Sequence, residues 1–259
     1  MAAMLTDKRV IEAFLRRDTP LHIYALGDLD DFFWPSTTWY AAGESTAPTA
    51  IALLYTAATL PTLLALGRAE LPALEGLLDS ILPALPRRMY CHASPGLHPI
   101  LARRFQLAPQ GLHHKMLLTD WRKVDAHATA AISELGARHA DEVARFYAAS
   151  YPGNWFEPRM LATDQYVGLR RDGELVSVAG VHVYSPAYRV ATLGNIATHP
   201  AQRGKGYATI VTAAVCKRLR TSVDLIGLNV KADNAAAHRC YESVGFTFVA
   251  PYEEYLCTA

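Results

Sequence analysis

Apolar residues fall at Val10, Ile11, Phe14 and Leu15 within residues 5–17, the spacing of one helical face. Residues 22–31 predict a second short helix that stops before Trp34-Pro35. Residues 38–42 and 49–56, rich in Thr, Tyr and aliphatic side chains, predict strands. Leucine recurs at helical spacing over 68–82; a strand at 88–92, a helix over 95–105 and a strand at 113–119 follow. Helix and strand alternate, so a sheet covered by helices is the simplest packing. Residues 119–131 are polar and alanine-rich without a strong period. A boundary near 122–128 is expected there, dividing a first domain (1–122) from a second (126–259).

The second half is patterned more sharply. A strand over 130–135 and a helix over 140–149 lead to the turn Pro152-Gly153-Asn154 and a short helix over 157–163. Strands at 165–171 and 174–184 are joined by Asp172-Gly173, a strong hairpin signal. A third strand spans 189–198. A helix over 206–220 carries Lys217, Arg218 and Arg220 near its end, where cations suit the helix dipole. A strand at 223–230, a helix over 234–244 closed by Gly245, and strands at 246–249 and 252–257 complete the series. No internal repeat is visible in the sequence.

Composition narrows the function classes. Apolar residues make up 51% and charged residues 19% of the 259, enough side-chain surface for a real core. Lys+Arg is 25 against Asp+Glu 24, so the cation surplus of a bulk nucleic-acid binder is absent. The cysteines at 91, 216, 240 and 257 form no CxxC pair, which argues for reduced thiols in a cytoplasmic protein. The first residues contain Asp7 and Glu12 and read as an amphipathic helix, not a signal peptide. The apolar stretch over 47–66 reaches the ~20 residues of a bilayer span. Pro48, Pro61 and its β-type residues favour buried strands instead, so no membrane association is expected. His113-His114 has no partners at metal spacing, and no metal site is expected.

The chemistry concentrates after the strand ending at Thr198. A short loop with Arg203, Gly204, Lys205 and Gly206 runs straight into a helix. Glycines there admit left-handed backbone and close ligand approach. The unpaired N–H groups of the helix start add partial positive charge, so the turn is a candidate phosphate or pyrophosphate site. A Walker loop needs Gly-Lys-Ser/Thr, and Lys205 is followed by Gly206. A dinucleotide fingerprint needs a third glycine where Thr209 stands, and its ribose-binding acid should end a strand, whereas Asp224 begins one. The remaining pattern is RxxGxA, with Arg203, Gly206 and Ala208. Downstream comes Asn234-Ala-Ala-Ala-His-Arg-Cys-Tyr241-Glu-Ser-Val-Gly245-Phe246, an N-x2-A-x3-Y run before Gly-Phe.

The two motifs together resemble the GCN5-related N-acetyltransferase (GNAT) family over residues 193–249. The resemblance implies an α/β (α+β) chain with a C-terminal acyl-CoA N-acyltransferase fold, whose mixed central sheet contains a splayed strand pair. The first domain matches no motif; its alternation is compatible with a divergent, cofactor-free copy of that fold. By the resemblance, Ile196, Ala197 and Thr198 line the pantetheine arm of acetyl-CoA. The amides of Arg203, Gly204, Lys205, Gly206, Tyr207, Ala208 and Thr209 hold its pyrophosphate, and Asn234 and Ala237 lie along the arm. Tyr241 is the general acid for the leaving thiolate; a phenol is neutral at pH 7 and able to give up a proton. Tyr151, Trp155 and Phe156 fall where the family builds its acceptor wall. The implied reaction is direct acetyl transfer to a small-molecule or peptide amine by a monomer or homodimer. The family's acid on the strand before the loop has no counterpart in residues 189–200. A water held by Asn195, His182 or Tyr184, or else Glu157, is left to serve as base. The same gap leaves open a catalytically weak acyl-CoA-binding sensor of the same fold. Plainer roles stand beside these: Tyr241 as core aromatic, Asn234 as helix cap, Arg203 and Lys205 as solvated loop charges.

Overall fold

The computed structural model describes residues 3–128 and 132–259. Residues 130 and 131 of the expected strand over 130–135 lie outside the described residues. The chain divides into two compact units: Met1–Lys115 with Lys231–Asp233 and Val249–Ala259, and Met116–Val230 with Asn234–Phe248.

Unit 1 runs β1 (Ala3–Leu5), α1 (Lys8–Leu15), α2 (Thr19–Gly27), β2 (Thr37–Glu44), β3 (Ala47–Tyr55), β4 (Thr62–Ala65), α3 (Leu71–Ile81), β5 (Arg88–Ala93), α4 (His98–Leu101) and β6 (Gln106–Leu118). Unit 2 opens with α5 (Trp121–Ala126) and runs β7 (Ile132–Leu135), α6 (Ala140–Ser150), a 3-10 helix (Pro158–Thr163), β8 (Tyr166–Arg171), β9 (Glu174–Ser185), β10 (Val190–Thr198), α7 (Tyr207–Leu219), β11 (Leu225–Lys231) and α8 (Ala235–Val244); β12 (Phe246–Thr258) starts in unit 2 and belongs to unit 1 from Val249 on.

The same plan occurs twice. Strands lie in the order β1-β2-β3-β4-β5 in unit 1 and β7-β8-β9-β10-β11 in unit 2. Each run has three antiparallel steps. Each ends in one parallel pair, β4 with β5 or β10 with β11. Helical segments fill the first connection, and one helix forms the parallel crossover, α3 or α7. The duplication lies in topology, which explains why inspection of the sequence showed no repeat.

The units differ where the parallel strands end. All of β4 is paired, Thr62↔Tyr90 through Ala65↔Ala93. Beyond it, Ser94 N–H donates to Ala65 O at 2.9 Å. The Ser94 hydroxyl donates to Gly67 O at 2.9 Å and accepts from Gly67 N–H at 3.0 Å. The β10–β11 ladder instead stops at Leu193↔Leu228, although β10 continues to Thr198 and β11 to Lys231. Unit 1's pair is stitched past its end; unit 2's pair separates.

Unit 1 also buries a polar cluster. Glu254 accepts hydrogen bonds from Tyr90 and from Tyr252, the latter at 2.7 Å, and lies 3.4 Å from both His92 and His113. The Lys115 ammonium sits over the Tyr24 ring at 4.8 Å and the Tyr252 ring at 5.2 Å. Burial pushes Lys115 down from 10.5 to about 7 against the attraction of Glu254. The folded chain therefore binds fewer protons than the unfolded chain between those values, and Lys115 penalises folding fully below pH 7 and not at all above 10.5. Urea unfolding of wild type and Lys115→Met between pH 7 and 9.5 should accordingly show an increment in stability with pH that the variant lacks. Parallel pH profiles would disprove this.

Candidate functional site

The separation begins at a double irregularity. Thr192 pairs with Val183 but Leu193 with Val181, so His182 is an extra residue in β9. Gly194 pairs with Gly180 but Ala197 with Val178, so Asn195 and Ile196 together oppose Ala179. The His182 ring lies against Gly194: a Cβ there would come within 1.3 Å of its Cδ2, so the ring in this position requires glycine. Asn195, 5% exposed, takes the left-handed conformation with φ 54°.

A buried network fixes Asn195. The Tyr147 hydroxyl of α6 donates to the Asn195 carbonyl at 2.5 Å. The Asn195 amide Nδ2 donates to the Tyr166 hydroxyl at 3.1 Å, which donates to Val181 O at 3.0 Å. Burial drives both phenols above their ordinary range, so they stay protonated donors. Sequence reasoning offered Asn195 as a holder of water; its amide is engaged with Tyr166. Farther along β10, the Ser177 hydroxyl donates to Ala197 O at 3.0 Å and lies 2.9 Å from Thr198 Oγ1. Ile196 is half-buried against the unit 2 core.

The loop leads into α7 through two left-handed glycines, Gly204 at φ 78° and Gly206 at φ 77°. A Cβ at either would meet nothing within 4 Å, so both backbones face open space. Gly206 is the N-cap of α7; no side chain caps this helix and its first turn holds no acid. The Tyr207, Ala208 and Thr209 amides at its start thus carry the partial positive charge of a helix N-terminus. This arrangement fits a diphosphate.

The neighbouring cations are engaged with the loop itself. Arg203 donates to Thr198 O at 3.3 Å and Ser150 O at 3.2 Å; Lys205 donates to Gln202 at 2.7 Å. The Tyr207 hydroxyl accepts from Arg171 at 3.2 Å. In unit 1 the corresponding turn differs: the Glu70 carboxylate accepts from Arg68 N–H at 3.3 Å, so it carries its own anion.

Asn234 caps α8, its Oδ1 accepting from Ala237 N–H at 3.1 Å. Thr209 on α7 donates to Cys240 Sγ on α8 at 3.4 Å, which brings the two motif-bearing helices together. Tyr241 is buried in the unit 2 core, its ring 6.1 Å from and steeply inclined to Phe246. Burial raises Cys216 and Cys240 above the usual thiol range, which removes the thiolate a nucleophile needs. Glu157 is paired with Arg159 at 2.7 Å. Phe156 packs on Tyr147 and Tyr166 at 4.9 and 5.8 Å, whereas Tyr151 and Trp155 are exposed.

Sequence reasoning did not find Tyr147, Tyr166 and Ser177. They lie far apart along the chain, and nothing in their local sequences marks them. Among the described residues, no group of three or more His, Cys, Asp or Glu is placed to hold a metal, and no helix is long and apolar enough to cross a membrane.

Residues 133–246 match the model of the acetyltransferase (GNAT) family. The mycothiol acetyltransferase of Sanguibacter keddieii is 30% identical over 132 residues, 49% of this chain and 39% of that protein. The chain thus matches about two fifths of that relative's length. A Drosophila protein superposes over 100% of this chain and 98% of its own with a TM-score of 0.73 at 14% identity. A GCN5-related N-acetyltransferase from Kribbella flavida superposes over 99% and 97%, with a TM-score of 0.57 at 15% identity. At such identities these two show the fold alone, and they show it over both units.

Proposed function

We propose, from the match of residues 133–246 to the GNAT acetyltransferase family, that unit 2 transfers an acetyl group from acetyl-CoA to a primary amine of a small molecule or peptide. The observation that carries this reading is one conjunction. The separated end of β10 lies just before an uncapped helix N-terminus with two open, left-handed glycines. Acetyl-CoA supplies an activated carbonyl and a thiolate leaving group. The amides of residues 203–209 bind the diphosphate, and Ile196, Ala197 and Thr198 offer main-chain groups to the pantetheine arm. Asn234 caps the helix that carries Ala237 along that arm. Tyr241 gives its proton to the departing sulfur.

His182 is the residue we assign to take the proton from the attacking amine. Glu157 is neutralised by Arg159, and Tyr184 pairs with Ala191 on the part of β10 still bonded to β11. The Asn195 amide is engaged with Tyr166, and His182 lies against Gly194, where the strands part. An imidazole suits the task near neutral pH.

The purified chain, given acetyl-CoA and a panel of primary amines, should release free thiol in an amine-dependent manner. His182→Gln should lower that release about 10²-fold, within the range for loss of a general base. Coenzyme A binding without amine-dependent thiol would overturn the enzyme reading. It would favour an acyl-CoA sensor, which the lack of an acid in residues 189–200 would suit.

A further inference from the structure

We propose that the Asp28 carboxylate at the end of α2 in unit 1 anchors a second ligand site, one that takes a small primary ammonium ion. The inference goes beyond the acetyltransferase reading: it concerns unit 1, and its test needs no acetyl-CoA.

Asp28 is 6% exposed. It is the C-cap of α2, its N–H donating to Tyr24 O at 3.0 Å. Its carboxyl makes no hydrogen bond or ion pair among the described residues. The contrast with Glu254 is direct, since that carboxylate accepts from two tyrosines and faces two histidines. The acids that follow Asp28 are engaged as well. Asp30 accepts from Phe32 N–H at 3.2 Å, and Asp31 pairs with Lys8 at 2.6 Å. A buried carboxyl without a partner costs stability, and the carbonyl end of a helix repels its negative form. A residue penalised twice, and offset by nothing in the fold, marks a functional position. Unit 2 has no such acid: its helix α6 ends at Tyr151, which is exposed.

The chemistry of the place selects the occupant. The carboxylate and the partial negative charge of the helix end both favour a cation. That cation must also donate hydrogen bonds, because carboxylates and carbonyls only accept. A metal ion needs several ligating groups. Among the described residues no three of His, Cys, Asp or Glu are placed for one. An ammonium brings three N–H donors on a compact head. The same face of α2 already meets one such head: Tyr24, one turn before Asp28, has the Lys115 ammonium 4.8 Å from its ring. Lys115 is not the counter-ion of Asp28. Burial alone pushes that carboxyl from 3.8 up to about 8, with no contribution from a neighbouring charge. Access is narrow and present. The orphaned polar atoms that are fully enclosed belong to other residues, so the Asp28 oxygens keep an opening that suits a small ion.

The test reads the carboxyl itself. In the full chain labelled with 13C at its aspartate carboxyls, the Asp28 resonance is the one lost in Asp28→Asn. In KCl it should titrate with a midpoint near pH 8. An opposite charge in contact with a carboxyl lowers its midpoint by about 1–3 pH units. Methylammonium chloride at equal ionic strength should therefore lower the midpoint by at least about one pH unit. Tetramethylammonium, a charge without N–H donors, should leave it in place. Thermal melts at pH 8 give a second readout. Methylammonium should raise the melting temperature of the wild type, but not that of Asp28→Asn or of Asp28→Leu, which both remove the buried charge. A midpoint that methylammonium leaves unmoved would overturn the proposal. So would an equal shift with tetramethylammonium, or an Asp28 that titrates as a surface carboxyl does.

Discussion

Replacing Tyr241 by phenylalanine should lower kcat for acetyl transfer by about 10²-fold or more, with coenzyme A affinity within twofold of wild type. Positioned proton transfer contributes about 10²–10⁴, and removing the phenol oxygen forfeits it all. The ring should stay where it is. Tyr241 is 9% exposed, inclined to Phe246 at 6.1 Å, and adjacent to Cys240, which Thr209 holds from α7. Phenylalanine fills the same space, and the backbone of α8 keeps its Asn234 cap and its Gly245 terminus. Steady-state kinetics, calorimetry with coenzyme A and a thermal melt decide the case together. A full kcat in the variant would make Tyr241 a core aromatic only. A lost kcat with lost affinity and a lower melting temperature would also deny it the acid role.

The sequence and the structure agree where local chemistry dictates local shape. Asp172-Gly173 predicts a hairpin, and both residues have positive φ, 50° and 85°. Gly245 closes α8 at φ 110°, where a Cβ would meet Asp120 O at 2.3 Å. Short elements escaped notice because they complete no period. β1 spans Ala3–Leu5 and β4 Thr62–Ala65. The featureless stretch after residue 119 forms α5. Asp120 caps it, Arg220 reaches Trp121 and Asp125, and Lys123 bonds Glu242 O, so tertiary contacts rather than pattern make that helix. The helix expected over 95–105 shrinks to His98–Leu101, with Pro99 in its first turn, where proline is tolerated. The two last strands are one, since Pro251 lies within β12.

The candidate site divides in the same way. Its glycine loop and its two motifs are contiguous words in the sequence. The Tyr147–Asn195–Tyr166 network joins residues from α6, β10 and β8 that only the folded sheet brings together. The stitched end of unit 1 is equally invisible, because Ser94 and Glu70 are ordinary residues until the strands place them.

The contrast between the units leads to a stoichiometry. The chain should bind one equivalent of coenzyme A, in unit 2, and the Gly204→Ala/Gly206→Ala double variant should weaken it by at least about 10-fold. Unit 1 has the same strand order, and the start of α3 likewise has no side-chain cap, but two features there oppose a diphosphate. Its parallel strands stay bonded past the end of β4, and the Glu70 carboxylate already accepts from the turn amide at Arg68. An incoming phosphate would meet that negative charge at close range. In unit 2 the glycine turn is open, and an added methyl has no neighbour within 4 Å to strike. Steric damage to the apo fold is therefore small. The cost is conformational: left-handed backbone costs an alanine roughly 1–2 kcal/mol. The turn escapes that strain by rotating, which turns the amides of residues 204–207 off a common target. Binding then suffers more than folding. Calorimetry gives both numbers in one titration series, with a melt as control. Two equivalents per chain would mean that unit 1 is a working copy. An alanine variant that binds as wild type does would mean that the turn is a plain strand-to-helix connection and that the anion is held elsewhere.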